Sequence, residues 1–318
     1  EKKLRKKKKE YNSKDFSKED CNNMFGNIDL YLEENYKEVW VKYLDLGVCT
    51  VKLINYSPEF SHLVEKQLPY VLKDSSDKYD YTMKIWHKRD IMKFLSEKFD
   101  KLNPKKNMRL RLDIVLSKSK VIDNNEINAV NDSEARPYSF IHNSSFNYMF
   151  DAYDSETKTF YVGVKNLEPE EFIKEGHIFV QYISSMIKNE KSQLVPGAAI
   201  GYYDKGVLLC ARGQRGKSTL AVLSMIKGFD YVSDDYLTVE QEGNKLFTYP
   251  VYSIITLSPK MYNELFDELK DSRFLFNNAR KDKYVFEISN FHNRFKRKYP
   301  IEICMFPEIV PYKEPSIM

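Results

Sequence analysis

The sequence has little glycine, proline or cysteine, and it lacks long apolar runs. Its 318 residues include only 11 Gly and 12 Pro, which excludes collagen-like and Gly/Pro-rich low-complexity chains. The four cysteines form no CxxC pair and have no histidine at ligand spacing, which argues against a zinc site and a disulfide framework. No apolar segment approaches the roughly 18–20 residues of a membrane helix, and no secretory signal is present. We therefore expect free thiols and a cytoplasmic protein.

The remaining composition is typical of a folded chain of one large domain or two ordinary ones. Apolar residues make up 42% and aromatic residues 14%, enough for a sizeable core. The net charge of +4 is concentrated at the N-terminus, where the first ten residues contain seven Lys or Arg and two Glu. We expect residues 1–20 to be a basic disordered tail, and its lack of an apolar face argues against a nucleic-acid partner. Because the sequence begins at Glu1 and ends in KEPSIM, we expect the natural chain to extend further.

The N-terminal half predicts a mixture of helices and strands. Residues 38–54 are β-branched and aromatic around Gly47, which predicts a hairpin, and residues 139–164 predict further strands. Helical periodicity predicts helices at 59–72, 90–99 and 170–187, and the polar stretch 118–136 predicts a long loop. We therefore expect residues 21–190 to form an α+β region, which is the natural place for acceptor or partner recognition.

A candidate phosphate loop, residues 211–216, stands between an apolar strand and a predicted helix at 218–227. With the Lys-Ser that follows, it matches G-x-x-x-x-G-K-[ST], except that alanine replaces the first glycine. Glycines let successive backbone N–H groups point at an anion, and the helix N-terminus adds a partial positive charge. The lysine supplies a charge for the phosphates, and the serine supplies a hydroxyl ligand for Mg²⁺. The predicted nucleotide-binding residues are Ala211, Arg212, Gly213, Gln214, Arg215, Gly216, Lys217, Ser218 and Thr219.

An acidic pair, Asp234 and Asp235, follows in the next strand-like stretch, after one short helix that Gly228 ends. One carboxylate can hold Mg²⁺ while the other accepts a proton from an attacking hydroxyl. On its own the pair is better interpreted as two solvated turn residues. The short interval from the candidate phosphate loop favours the chemical interpretation.

Residues 206–240, GVLLCARGQRGKSTLAVLSMIKGFDYVSDDYLTVE, resemble the catalytic domain of HPr kinase/phosphorylase. They resemble more closely the HPr-kinase-like proteins encoded with modified-peptide clusters. Residues 249–257 and 303–310 are similar to the family's later segments, and the likeness is strongest over 195–257. The resemblance implies an α/β P-loop domain with a mixed sheet, of the fold shared with PEP carboxykinase, over residues 191–318, beside the N-terminal α+β region.

The resemblance also implies a kinase that uses ATP or GTP with Mg²⁺ to phosphorylate a hydroxyl of a peptide or small molecule. By this likeness Lys217, Asp234 and Asp235 are catalytic. Ser218 and Asp234 contact the metal, and which aspartate acts as the base is open. A homo-oligomer is also compatible with the resemblance.

One position departs from the family pattern. Pro196 stands where the family carries a histidine beside the acidic pair. The alternative function is therefore a non-catalytic nucleotide-binding scaffold or sensor. His177 lies upstream in a predicted helix, and we interpret it as a packed or surface histidine.

Overall fold

The computed structural model describes residues 18–68, 70–87, 115–116, 138–140, 148–164, 177–213, 215–252, 254–269, 274–278, 283–287 and 293–308. The described residues form a mixed α/β protein with mixed sheets, which confirms the predicted fold class at that level. The chain divides into two compact units. The first takes its residues from 1–41, 53–58 and 81–167, and the second from 42–52, 59–80 and 168–318. The predicted boundaries at residues 20 and 190 stay predictions.

The helices are α1 (Lys18–Asn35), α2 (Pro58–Gln67), α3 (Val180–Ile187), α4 (Lys217–Ile226), α5 (Pro259–Glu264) and α6 (Phe266–Leu269). The strands are β1 (Trp40–Asp45), β2 (Thr50–Asn55), β3 (Leu72–Lys73), β4 (Tyr81–His87), β5 (Val115–Leu116), β6 (Tyr138–Phe140), β7 (Tyr148–Asp154), β8 (Thr159–Val164), β9 (Ser192–Val195), β10 (Ala198–Tyr202), β11 (Lys205–Leu209), β12 (Asp230–Ser233), β13 (Leu237–Glu242), β14 (Lys245–Pro250), β15 (Ile254–Leu257), β16 (Phe274–Asn278), β17 (Lys283–Glu287) and β18 (Tyr299–Met305). No described helix is long and apolar enough to cross a membrane.

The first unit combines α1 with strands in the order β4-β8-β7-β6-β5. β4 and β8 run parallel, and the other neighbours run antiparallel. Every residue of β8 is buried, as expected for an apolar strand covered on both faces. Helix α1 is held by Asp29, which contacts Lys84 and accepts a hydrogen bond of 3.2 Å from the Tyr161 hydroxyl. Burial and the Asp29 charge raise the pKa of Tyr161.

The second unit contains a seven-stranded sheet in the order β12-β10-β11-β18-β14-β13-β9. β11 pairs in parallel with β18, whereas β10 pairs antiparallel with both β11 and β12. Helix α4 and the antiparallel sheet β15-β17-β16 contribute to one apolar core with this larger sheet. That core includes Ala198, Ile200, Leu209, Ala221, Val222, Met225, Tyr231, Ile255, Leu257 and Phe286. The C-terminal ends of β11 and β12 therefore meet at the end of the sheet where α4 begins.

Several predicted elements have different bounds in the structure. Strands β1 and β2 agree with the predicted hairpin, but helix α2 stops at Gln67 because the chain then turns into β3. Residues 204–206, Asp-Lys-Gly, predict a tight turn in the sequence, but Tyr203 and Asp204 make the turn and β11 already begins at Lys205. Helix α3 begins at Val180, after Phe179 with a left-handed φ of 61°, and residues 170–176 of the helix predicted at 170–187 lie outside the described residues. The predicted tail before residue 18, helix at 90–99 and loop at 118–136 lie outside the described residues.

Candidate functional site

The candidate phosphate loop connects β11 to α4. Its last residue, Gly216, has a φ of 88°, a left-handed conformation that favours glycine, and it caps α4. The Leu220 amide donates to the Gly216 carbonyl at 2.9 Å, so the helix begins directly after the loop. Buried Ala221 and Val222 fix α4 in the core. The free N–H groups at the start of α4 are therefore held at the end of β11.

Two cations of the loop are engaged with the protein itself. The Lys217 ammonium donates to the carbonyl oxygens of Ala211 at 2.7 Å and Arg212 at 3.3 Å, which brings it back over the loop. The Arg215 guanidinium pairs with Glu308 at 2.8 Å, and both side chains are largely exposed. Gln214 lies outside the described residues, Arg212 and Gly213 are exposed, and Thr219 is half-buried in α4.

The first aspartate of the acidic pair is joined directly to the first turn of α4. The Ser218 hydroxyl donates to Asp234 Oδ1 at 3.0 Å, and the Asp235 amide donates to the same oxygen at 2.9 Å. Asp234 is 1% exposed, so its carboxylate is a fixed and nearly dry group. Ser233 Oγ lies 2.9 Å from the Tyr236 carbonyl oxygen and 3.2 Å from that of Tyr252, so its one hydroxyl hydrogen is placed between them and holds the turn that carries the pair.

The second aspartate is held in an unusual backbone conformation. Asp235 has a φ of 70°, which is uncommon for residues other than glycine and is concentrated at functional sites. The Gly197 amide donates to its carbonyl at 3.0 Å, and the Thr256 hydroxyl donates to its Oδ2 at 3.4 Å. Its side chain is 29% exposed, so one carboxylate is oriented by the protein and still open to solvent.

A histidine that sequence reasoning did not nominate lies against this carboxylate. His177 Nε2 is 3.4 Å from Asp235 Oδ2, and the histidine side chain is only 7% exposed. The imidazole meets the ring of Tyr252 edge-on at 4.3 Å and that of Tyr236 at 5.2 Å. The Tyr252 hydroxyl donates to the Ile178 carbonyl at 2.5 Å, so the residue directly after His177 is bonded to the tyrosine that packs on the imidazole. His177 is thus packed, as interpreted, but against the acidic pair.

No local signal could have found this contact, because His177 and Asp235 are far apart in the sequence. Pro196 is itself exposed, and its neighbour Gly197 reaches Asp235 through a backbone amide. The imidazole beside the acidic pair is therefore supplied by His177 and not by position 196.

The residues at the start of α4 fit a magnesium ion. A serine hydroxyl and a carboxylate oxygen are hard oxygen donors, and Mg²⁺ is commonly bound by one or two such groups with substrate phosphates and water. The pair formed by Ser218 and Asp234 provides this donor set at the end of the candidate phosphate loop. Among the described residues, no group of three or more His, Cys, Asp or Glu side chains could hold a metal alone. Bound phosphate would have to complete the coordination.

Comparison with known proteins gives a distant likeness to solved structures. No family model matches the chain, and no curated protein matches it. Among solved structures, the chain is similar to the Hpr(Ser) kinase/phosphatase from Coxiella burnetii, with 15% sequence identity and a TM-score of 0.28. The match covers 39% of this chain and 64% of the Coxiella protein, so this chain spans less than two thirds of the length of that protein.

Proposed function

We propose that the second unit binds ATP or GTP with Mg²⁺ and transfers the terminal phosphoryl group to a hydroxyl of a peptide or small molecule. The observation that carries this proposal is the 3.0 Å hydrogen bond from Ser218 to Asp234, directly behind the candidate phosphate loop and beside a second, oriented carboxylate. The proposal includes the P-loop fold of HPr kinase and PEP carboxykinase that the sequence resemblance implies.

Nucleotide binding would use groups that now contact the loop itself. Lys217 would exchange the carbonyls of Ala211 and Arg212 for oxygens of the β- and γ-phosphates. The first N–H groups of α4 would donate to the same phosphates. Ser218 and Asp234 would hold Mg²⁺, which when bound neutralises charge on the phosphates.

The different exposure of the two aspartates supports a different role for each in this proposal. Asp234 is nearly buried and bonded to Ser218, which suits a metal ligand, whereas Asp235 is partly exposed, which suits a base. As the acceptor oxygen forms its bond to the γ-phosphorus, Asp235 would take the hydroxyl proton. The bond between the γ-phosphorus and the β,γ-bridging oxygen would break, and the nucleoside diphosphate would leave. Thr256 and His177 would keep the carboxylate oriented during this step.

Calorimetry with ATP and GTP in Mg²⁺ tests binding, and slow nucleotide hydrolysis tests chemistry. Lys217→Ala should weaken binding by about 10–100-fold, the value of a charge-assisted hydrogen bond to phosphate. The control is Lys245→Ala, which removes an exposed lysine at the start of β14 and should bind as the parent does. Asp235→Asn, whose asparagine also tolerates positive φ, should bind nucleotide but lose hydrolysis.

The outcomes separate the kinase from the scaffold. Binding that depends on Lys217 and hydrolysis that depends on Asp235 would support the phosphotransferase. Binding without hydrolysis, and without transfer to any peptide or small hydroxyl acceptor tested, would favour a nucleotide-binding scaffold. A folded parent protein that binds neither nucleotide would overturn the proposal.

A further inference from the structure

A tight turn at the end of β11 away from the candidate phosphate loop displays an exposed aromatic residue. Only Tyr203 and Asp204 connect β10 to β11, and their φ angles are 45° and 59°. Two-residue turns with positive φ at both positions strongly favour Asn-Gly, and a bulky side chain there is strained. Tyr203 is 81% exposed, so burial in the core does not explain the choice of tyrosine. A strained turn that holds a largely exposed ring points to a role for the ring itself.

The backbone of this turn is held rigidly. The ring of Tyr299 lies across the cross-strand pair formed by Gly201 and Gly206, where a Cβ on Gly201 would come within 2.1 Å of it. The Asp204 amide donates to the Tyr299 hydroxyl at 3.1 Å, and that hydroxyl donates to Asp230 at 3.2 Å. The turn is therefore fixed before any partner arrives, which lowers the entropy cost of binding.

Three rings form an ordered aromatic patch on this turn, which we call the tyrosine patch (Tyr202, Tyr203 and Phe229). Tyr202 is 48% exposed, and its ring lies 4.4 Å from that of Tyr203 at an interplanar angle of 72°. Its other neighbour is Phe229, at 4.8 Å and 31°. Tyrosine provides large contact area at low conformational cost, and it is enriched in the residues that dominate binding energy.

Cations surround the tyrosine patch. Lys205 is the cross-strand partner of Tyr202, and Lys227 is the C-cap of α4, two residues before Phe229 of the patch. The guanidinium of Arg294 lies 3.6 Å from where a Cβ on Gly228 would stand. All three cations are exposed, and within the described ranges none of them has a carboxylate at ion-pair distance. Beside the exposed Asp204 of the turn, the described rim of the patch therefore carries three cations that no described carboxylate pairs with.

We propose that the tyrosine patch and these three cations dock an acidic, extended segment of a partner protein. Apolar side chains of such a segment would cover the rings, and its carboxylates would pair with Lys205, Lys227 and Arg294. A single-stranded nucleic acid fits less well, because its bases need open parallel ring faces, whereas these rings pack on each other at an edge and a tilt. The inference is independent of the proposed nucleotide site.

Display selection of random dodecapeptides on the full chain tests the proposal. The selected peptides should be rich in Asp and Glu. Tyr203→Asn and Arg294→Gln should each weaken the selected peptides at least tenfold. The control is Tyr79→Asn, which removes another tyrosine that is 48% exposed and should not affect binding.

Thermal unfolding supplies a second readout that a folding defect cannot imitate. Asparagine accepts left-handed φ, so Tyr203→Asn should raise Tm by about 2 °C while it loses the peptides. Selected peptides without acidic enrichment, or equal binding by Tyr203→Asn, would overturn the proposal. It would also be overturned if Tyr203→Asn abolished self-association of the chain or binding of an oligonucleotide, since the patch would then serve a different partner.

Discussion

Replacing His177 should slow phosphoryl transfer without weakening nucleotide binding. Its Nε2 lies 3.4 Å from Asp235 Oδ2, whereas Asp234 takes its contacts from Ser218 and a backbone amide. His177→Phe keeps an aromatic ring beside two tyrosines and removes the ring nitrogens. His177→Gln keeps a polar group within reach of the carboxylate but loses the ring.

The structure sets the size of these effects. Asp235 is 29% exposed, so water can replace part of the lost contact, and we expect a stability loss of about 1 kcal/mol for the phenylalanine variant. A shift of about 1 Å in a reacting group can cost about 100-fold in rate. Because Thr256 and Gly197 still hold Asp235, we expect kcat to fall by roughly tenfold in His177→Phe and less in His177→Gln.

Release of nucleoside diphosphate at saturating ATP measures kcat, and calorimetry measures the nucleotide Kd of the same samples. His62→Phe, at an exposed position of α2, is the matched control and should leave both values unchanged. An unchanged kcat in His177→Phe would refute the positioning role. So would equal losses in the phenylalanine and glutamine variants, or a weaker Kd in either of them.

Three further predictions concern stability and electrostatics. Gly206→Ala should lower the free energy of unfolding in urea by roughly 1–3 kcal/mol, because the new Cβ would lie 2.0 Å from a carbonyl oxygen. As a control, the Cβ of Gly26→Ala in α1 meets nothing within 4 Å, so this variant should be more stable by about 0.5–1 kcal/mol. Burial opposes the ionisation of Asp45, but its hydrogen bonds and cationic partners outweigh burial and lower its pKa. The ionised carboxylate therefore stabilises the folded state above the unfolded pKa of 3.8, and this stabilisation is lost as pH falls through the folded pKa. The free energy of unfolding of Asp45→Asn should therefore be lower than that of the parent at neutral pH, and the two values should converge in acid. A difference that does not change with pH would contradict this. Glu308→Gln should tighten ATP binding about two- to threefold by releasing Arg215, an effect that salt should remove, and equal affinity at low salt would refute it.

The local parts of the candidate site were predictable from the sequence. The apolar run of β11, the glycine at 216 and the periodicity of α4 all act within a few residues, so β11 precedes the loop as predicted and α4 agrees with the helix predicted at 218–227 to within one residue. The mixed α/β class follows from the same alternation of helical and strand patterns.

The contacts that orient the site could not be predicted in this way. His177 lies before the first residue of α3, and the rings of Tyr236 and Tyr252 pack against its imidazole beside Asp235. These are consequences of tertiary packing between segments far apart in the chain, and they leave no periodic trace in the sequence. The turn at Tyr203 was also missed, since its residues contradict the usual turn preference and the glycine at 206 drew the predicted turn too far along.

The parallel pairing of β11 with β18 bears on how the protein folds during synthesis. One edge of β11 pairs with β10, which lies directly before it in the chain. The other edge pairs with β18, where Leu209 lies opposite Met305, and β18 is synthesised much later. A ribosome would release the candidate phosphate loop well before that strand, so the nascent chain carries β11 with an unpaired edge. Pairing over such a sequence separation is slow, since a long loop must close first. We therefore expect the loop to become protected from hydrogen exchange late in folding, when its distant flank arrives.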